Sequence, residues 1–315
     1  MSEQAAAPMS GKTRAGFAAI VGAPNAGKPT LVNALVGSKV SIVSPKVQTT
    51  RMRVIGIAMT DLADGERAQV VLVDTPGIFR IAKRRLERAM VAAAWQGAED
   101  ADVVALVVDA ERGVGQETKA IIERLKESKA PRYLVLNKID LVAREVLLGL
   151  TSELTAMLPF ESVFMVSALK NDGVDAILKT VAQHLPVSPF LYPEDQAADL
   201  PLRLLAAEVT REQVFLQLHQ ELPYEAAVET EKWEDRPDGS TRIEQIIHVQ
   251  REGQRAIVLG KGGAKIKQIG ARARHELSQM LERQVHLFLH VKVSERWAED
   301  PSHYRTIGLE YDPKR

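Results

Sequence analysis

From residue 15 to residue 185, short runs of aliphatic and β-branched residues alternate with stretches whose apolar positions recur every three or four residues. FAAIVG (17–22) leads through a Gly-rich turn into the amphipathic TLVNALVG (30–37). VIGIA (54–58) and AQVVLV (68–73) read as strands, RRLERAMVAAAWQG (84–97) as a helix, VVALVVDA (103–110) as a strand and ETKAIIERLKES (117–128) as a helix. RYLVL (132–136) is a strand, VLLGLTSELTAML (146–158) a helix, SVFMV (162–166) a strand and VDAILKTVAQHL (174–185) a closing helix. Near-continuous apolar strands separated by helices indicate a parallel sheet covered on both faces, an α/β doubly wound fold.

The periodicity breaks at PVSPFLYPEDQAADLP (186–201), where four prolines in 16 residues cannot continue either pattern, so a linker is expected over 186–200. Beyond it a smaller α+β unit is expected over 201–315. A helix is read in AAEVTREQVFLQLHQEL (206–222), strands in YEAAVETEKWE (224–234) and RIEQIIHVQ (242–250) joined by the turn DRPDGS, a helix after GKGG (260–263), and a last strand in VHLFLHVKV (285–293). RAIVLG (255–260) is too short for periodicity to decide between strand and helix. Residues 1–14 read as a disordered tail, and the α/β domain as 15–185.

Composition narrows the picture. Basic and acidic residues balance at 41 each, so nucleic-acid affinity must come from a local patch, and the absence of cysteine excludes disulfides and thiolate metal sites. The apolar runs are shorter than the roughly 18–20 residues of a membrane span, and a cytoplasmic protein is expected.

The chemistry lies at the strand ends. GAPNAGKPT (22–30) carries Gly22, Gly27 and Lys28 of the phosphate-loop pattern G-x-x-x-x-G-K-[ST], but the Ser/Thr position that holds Mg²⁺ is Pro29. Four further motifs follow in order. VQTTR supplies Thr49 and Thr50 as switch hydroxyls for Mg²⁺. DTPG (Asp74, Thr75, Pro76, Gly77) supplies a second metal ligand, Asp74, and a Gly77 N–H that meets a γ-phosphate. In NKID (Asn137, Lys138, Ile139, Asp140) the Asp140 carboxylate accepts from guanine N1 and N2, which adenine cannot offer. SAL (Ser167, Ala168, Leu169) offers a backbone N–H to guanine O6. Open α/β sheets bind ligands at these strand ends, and the five together predict a guanine-nucleotide site.

Backbone N–H groups of residues 25–30, in the loop Ala23, Pro24, Asn25, Ala26 and onward to Thr30, cradle phosphates at a helix N-terminus. Lys28 pairs with the β/γ oxygens, and Lys28, Asn25, Thr49 and Thr50 are the expected catalytic set. Ile78, where Ras-like enzymes carry a water-orienting Gln, cannot position water, so slow hydrolysis or another device is expected. Asn25 serves either as a turn former or as a ligand to a monovalent cation beside the phosphates. Pro29 removes a hydroxyl and an N–H and biases Lys28 away from helical conformation. Proline is tolerated in a first helical turn, so the fold should survive while Mg²⁺ and GTP binding weaken.

In the second unit, seven basic residues stand between Arg251 and Arg274 against one acid, Glu252. Arg255, Lys261, Lys265, Lys267, Arg272 and Arg274 flank Gly260, Gly262 and Gly263, and a G-x-x-G loop of this kind presses its backbone against single-stranded nucleic acid. Tyr224, Trp233 and Phe288 are expected in the core. Trp297 and Tyr304 lie either near RNA or as anchors of the C-terminal segment.

Taken with these motifs, G-x-P-N-x-G-K, Q-T-T-R, D-T-P-G, N-K-x-D and S-A-L resemble the Era family of translation-associated GTPases, and TREQVFLQLHQELPY, EGQRAIVLGKGGAKIKQIGARAR and VHLFLHVKVSERWAED resemble its KH half. The resemblance spans about residues 15–312. It implies a GTPase domain followed by a type II KH domain, Mg²⁺ with GTP or GDP, and potassium held by the loop Asn. It also implies binding near the 3′ end of 16S rRNA, a role in maturation of the 30S ribosomal subunit, and peripheral contact with the inner membrane. That family likewise lacks the switch Gln. A monomer is expected. Two alternatives stand beside this reading: a hydrolysis-deficient, nucleotide-gated RNA-binding assembly factor, and a GTPase whose KH domain docks protein or membrane.

Overall fold

A computed structural model describes residues 12–44, 50–78, 85–218, 222–295, 297–301, 304, 307 and 309–311. Among them the first unit is a six-stranded sheet of order β2-β3-β1-β4-β5-β6. Its strands are β1 (Thr13–Gly22), β2 (Val54–Asp61), β3 (Arg67–Asp74), β4 (Val103–Asp109), β5 (Arg132–Asn137) and β6 (Ser162–Val166). Helices α1 (Lys28–Val36), α2 (Arg85–Glu99), α3 (Gln116–Leu125), α4 (Arg144–Met157) and α5 (Asp175–Ala182) cover it.

Alternation within each strand feeds two cores, because successive side chains point to opposite faces. Ala18 and Ile20 of β1, Ala105 and Val107 of β4 and Val135 of β5 pack with Leu31 of α1 and Val181 of α5. Their neighbours Ala19, Val21, Leu106, Val108 and Leu136 pack with α2, α3 and α4. Both layers hold the strand ends rigid, so the loops leaving the carboxyl ends converge above the sheet.

The sheet departs from the all-parallel expectation at one edge: β2 runs antiparallel to β3. Only a 3-10 turn at Ala63–Gly65 joins them, and without a crossover helix the connection has to be a hairpin. Strand β1 begins at Thr13, inside the stretch read as tail.

The linker is not free chain. Gln69, fully buried, accepts the N–H groups of Leu191 (2.8 Å) and Tyr192 (3.0 Å) on its Oε1 and donates from Nε2 to the Tyr192 carbonyl (2.8 Å). Single bridges at Arg14–Val187 and Gly56–Ala198 lay it along the sheet. Its prolines exclude a helix but not docking by backbone hydrogen bonds from the neighbouring residues.

The second unit runs α6 (Leu202–Gln217), β7 (Ala227–Asp235), β8 (Thr241–Val249), α7 (Glu252–Leu259), α8 (Ala264–Met280), β9 (Val285–Val293), with sheet order β7-β8-β9. β7 and β8 form the expected hairpin, while β8 and β9 are parallel across the α7–α8 crossover. RAIVLG is resolved as the body of α7. Only Val258 of that helix is fully buried, so its pattern is too sparse to have identified it. Val214, Ile247, Val258 and Ile269 form one core cluster, Val209, Ile243, Leu277 and Val285 another.

The C-terminal segment joins the two units. Trp297, Tyr304, Ile307 and Leu309 pack with Ala227 of β7 against Met52, Val54, Leu86 and Met90 of the first unit. Trp297 and Tyr304 are therefore buried anchors. Phe288 does not reach the core: it is 44 % exposed on β9, with Arg242 stacked 4.8 Å from its ring centroid, and Trp233 is half-buried.

Candidate functional site

Above the carboxyl ends of β1, β3, β5 and β6 lies a cleft of about 590 Å³. Pro24, Asn25, Gly27, Lys28, Pro29 and Thr30 line it from the loop, Thr50 and Gly77 from the switch segments, and Asn137, Lys138, Asp140, Ser167 and Leu169 from the opposite end. All five motifs thus meet in one cavity. Thr49 lies outside the described residues. Gly22, Ala23, Ala26, Asp74, Thr75, Pro76, Ile78, Ile139 and Ala168 belong to the same motifs and loops but do not line the cleft. A larger cavity, about 970 Å³, lies between α6, β7 and the C-terminal segment, away from these motifs.

The loop geometry follows from its glycines and Asn25. Asn25 takes φ 65°, the left-handed region that Asn enters more readily than most residues, so in the structure it serves as a turn former. Gly27 has φ 90°, and a Cβ there would come within 2.2 Å of Asn137 Nδ2. Gly22 would press a Cβ to 2.5 Å from the Val107 carbonyl. Gly27→Ala is accordingly expected to cost about 3 kcal/mol, combining backbone strain with overpacking, and to abolish guanine-nucleotide binding. Thermal unfolding and a nucleotide titration on the purified variant check both.

Asn137 fastens the two ends of the cleft. Its Nδ2 donates to the Ala26 carbonyl (2.9 Å), and its Oδ1 accepts from Lys138 N (2.8 Å) and Ala168 N (3.0 Å). The Ala168 N–H is thereby committed to Asn137. Lys138, held at φ 66°, reaches Asp109 Oδ2 at 2.6 Å. Asp109 is buried at the end of β4, and its Oδ1 accepts the Glu111 N–H at 3.0 Å. The sequence reading missed Asp109. The signal was present, a carboxylate closing an apolar strand, but no motif marked it. Asp140 stands with its side chain 13 % exposed beside Lys170 (3.4 Å), and the Ser167 hydroxyl holds its carboxyl below the usual range.

Helix α1 begins at Lys28 despite Pro29, with the Leu31 N–H donating to the Gly27 carbonyl at 2.9 Å. The steric bias expected at Lys28 does not displace the helix start, and the missing Pro29 N–H costs no intrahelical bond, because the first N–H groups of a helix have no intrahelical partner. Lys28 is buried, donating from Nζ to the Gly22 (3.0 Å) and Ala23 (3.1 Å) carbonyls, and burial lowers its pKa to about 8 against the pull of Asp74.

Asp74 lies fully buried behind the cleft. Its Oδ2 accepts from Ser41 Oγ (2.7 Å) and Thr50 Oγ1 (3.2 Å), while Oδ1 has no hydrogen-bond partner among the described residues. Burial pushes its pKa to about 6, opposed by the Ser41 hydroxyl and by Lys28. A buried carboxylate oxygen without a donor, beside a threonine hydroxyl, is a donor set suited to a hard divalent cation or to its water. Pro29 contributes no oxygen from its side chain. Ile78 is 4 % exposed and belongs to the core with Val21 and Ala94, so it orients no water.

On the second unit, Arg255, Lys261, Gly262, Lys267, Arg272 and Arg274 are exposed along α7, the GKGG turn and α8, with Gly260, Gly263 and Lys265 partly covered. Gly260, Gly262 and Gly263 all have positive φ, at 69°, 60° and 77°. A Cβ on Gly260 would meet Lys265 Cβ at 2.7 Å, whereas Gly262 and Gly263 open onto free space. One holds the turn; the other two leave open space beside their backbone.

A phosphate loop, a carboxylate placed for guanine and a G-x-x-G unit define a guanine-nucleotide-binding P-loop domain joined to a KH domain. Residues 17–138 match the model of the 50S ribosome-binding GTPase family and residues 221–298 that of the KH domain. The chain is 54 % identical over 311 residues to GTPase Era of Bradyrhizobium diazoefficiens, covering 99 % of each. It is 56 % identical over 299 residues to GTPase Era of Mesorhizobium japonicum, covering 95 % of this chain and 94 % of that one. Among solved structures it is similar to a single-substitution variant of Aquifex aeolicus Era bound to GDP·AlF4⁻, and to Era in complex with MgGDPNP and nucleotides 1506–1542 of 16S ribosomal RNA. Each superposes with a TM-score of 0.87 at 39 % identity, covering 94 % of this chain and 99 % of that one. The chain belongs to the Era family of GTPases.

No helix among the described residues is long and apolar enough to cross a membrane.

Proposed function

We propose that this chain binds GTP with Mg²⁺ in the cleft and, as a monomer, binds the 3′ region of 16S rRNA through α7, GKGG and α8 during assembly of the 30S subunit. The observation that carries the nucleotide half is the convergence of five motifs on one cavity, with Asp140 at one end and Lys28 at the other. The relative solved with MgGDPNP and nucleotides 1506–1542 of 16S rRNA supports both halves.

In this reading Asp74 and Thr50 hold Mg²⁺, which supplies charge neutralisation on the phosphoryl oxygens. Thr49 joins Lys28, Asn25 and Thr50 in the catalytic set. The loop N–H groups and the Lys28 ammonium bind and orient the phosphates, and catalysis here is mostly positioning and electrostatics. With Ile78 in the core, no side chain at that position orders the attacking water, so turnover is slow. Pro29 lowers it further and favours the related reading of a nucleotide-gated RNA-binding factor with little hydrolysis. Turnover compared in K⁺ and Na⁺ reads whether Asn25 also serves a monovalent cation: a potassium preference supports it and equal rates remove it.

The RNA half is tested by Gly262→Asp combined with Gly263→Asp. Neither Cβ meets another atom, so the cost to folding is about 1–2 kcal/mol per left-handed residue, while two carboxylates face the nucleic-acid backbone. The double variant is expected to lose at least tenfold in affinity for a single-stranded 16S 3′-end oligonucleotide and to bind GDP as before. Retained RNA affinity would place the RNA elsewhere.

A further inference from the structure

Pro29 leaves the metal side of the cleft without its loop hydroxyl, and the hydroxyls beside Asp74 among the described residues are those of Thr50 and Ser41. Thr50 belongs to the switch motif already described. Ser41 belongs to no motif, yet it makes the shorter contact, 2.7 Å from Oγ to Asp74 Oδ2 against 3.2 Å for Thr50. It is 3 % exposed and does not line the cleft.

Its position is imposed from α1. The Asn33 side chain grips the backbone on both sides of this residue: Oδ1 accepts the N–H groups of Val40 (2.9 Å) and Ser41 (2.8 Å), and Nδ2 donates to the Ser41 carbonyl (2.7 Å). Three hydrogen bonds from one amide fix the Ser41 backbone to the helix that opens at Lys28 and Pro29. The hydroxyl is thus tied to the phosphate-loop helix at one end and to the Asp74 carboxylate at the other. Occupying Oδ2 leaves Oδ1, the oxygen without a hydrogen-bond partner, as the one available to a cation.

We infer that Ser41 is a positioning residue for Mg²⁺: clamped by Asn33, it fixes the Asp74 carboxylate in the orientation that coordinates the ion, the support that a loop hydroxyl at position 29 would otherwise share. This rests on the nucleotide reading above and names a residue that reading does not use. Outer-shell partners of ligating carboxylates typically contribute roughly 10–100-fold in metal affinity, and with position 29 silent the larger part of that range is expected here.

The test separates metal from nucleotide. GDP binding to the full chain is titrated with a fluorescent GDP analogue, first in EDTA and then across a Mg²⁺ series. Ser41→Ala is expected to leave affinity in EDTA unchanged and to move the Mg²⁺ midpoint at least tenfold higher, with Ser41→Thr restoring it. In a Pro29→Ser background the Ser41→Ala shift should shrink to a few-fold, because the restored loop hydroxyl then shares the role. Ser41→Cys keeps the buried volume and carries the same expectation if the alanine variant does not fold. An unmoved Mg²⁺ midpoint overturns the proposal, as does an equal loss with and without Mg²⁺, which marks a merely structural role. A parent chain that binds no guanine nucleotide even in EDTA removes the nucleotide reading itself and this inference with it.

Discussion

Pro29→Ser is expected to tighten Mg²⁺-dependent GTP binding by roughly 10–100-fold and to raise turnover by a similar factor. The substitution restores a hydroxyl and a backbone N–H, both facing charge. A hydrogen bond to a charged group contributes about 1.5–3 kcal/mol, and every 1.4 kcal/mol is about tenfold in affinity. The expected range therefore corresponds to a net gain of about one such contact, because both regained groups must first displace water. GDP should gain less, since the restored hydroxyl would hold Mg²⁺, whose charge neutralisation would matter most when a γ-phosphoryl group is bound. The scaffold is already in place, because α1 begins at Lys28 and Lys28 sits at the loop carbonyls with Pro29 present. Binding and single-turnover hydrolysis of GTP, measured in parallel on both chains, decide it. Equal affinities and rates would show that the missing hydroxyl and N–H cost this chain nothing, and would overturn the reading of Pro29 as a lesion.

What the sequence could and could not disclose divides along contact distance. Alternating apolar residues in β1, β4 and β5 encode two buried faces, so the doubly wound sheet is legible from spacing alone. The five nucleotide motifs are legible because each is a short run at a strand end. Partners far apart in the chain leave no such trace. Gln69 holds the linker through residues more than 120 positions away, and nothing around Ala68–Val70 marks its amide as a docking point. Ser41 and Asn33 lie only eight apart, yet their clamp depends on a turn that no periodicity predicts. Phe288 carries the opposite lesson. An aromatic in an apolar strand suggests core, but the helices α6, α7 and α8 cover only one face of the β7-β8-β9 sheet, and strand alternation puts Phe288 on the open one.

Arg51 shows how far a motif residue can stand from its motif. It closes Q-T-T-R, where the neighbouring threonine donates to Asp74, but its guanidinium enters the KH unit. It donates to the Ala226 (2.7 Å), Pro223 (3.2 Å) and Tyr224 (2.9 Å) carbonyls, between the rings of Phe215 and Trp297. Only 3 % of it is exposed. Twelve residues before Arg51, Lys39 pairs with Glu212 of α6 and with Glu276 of α8, and Glu212 accepts the Val43 N–H at 2.7 Å. The segment that carries Thr50 is therefore tied to the RNA-binding unit at both ends. Arg51→Ala removes a planar fork that satisfies three carbonyls at once, a geometry that lysine cannot reproduce. Buried acceptors left without donors cost about 1–3 kcal/mol each, partly relieved by water entering the gap, so a loss of about 3 kcal/mol is expected, and Arg51→Lys should recover less than half of it. The loss should concentrate at the junction. Hydrogen exchange would quicken at residues 222–228 and at Trp297 while β4 and β5 keep their protection, and RNA affinity would depend less on whether GDP or a GTP analogue is bound. Unchanged exchange at 222–228 in Arg51→Ala would show that the apolar packing of Met52 and Trp297 alone holds the two units together.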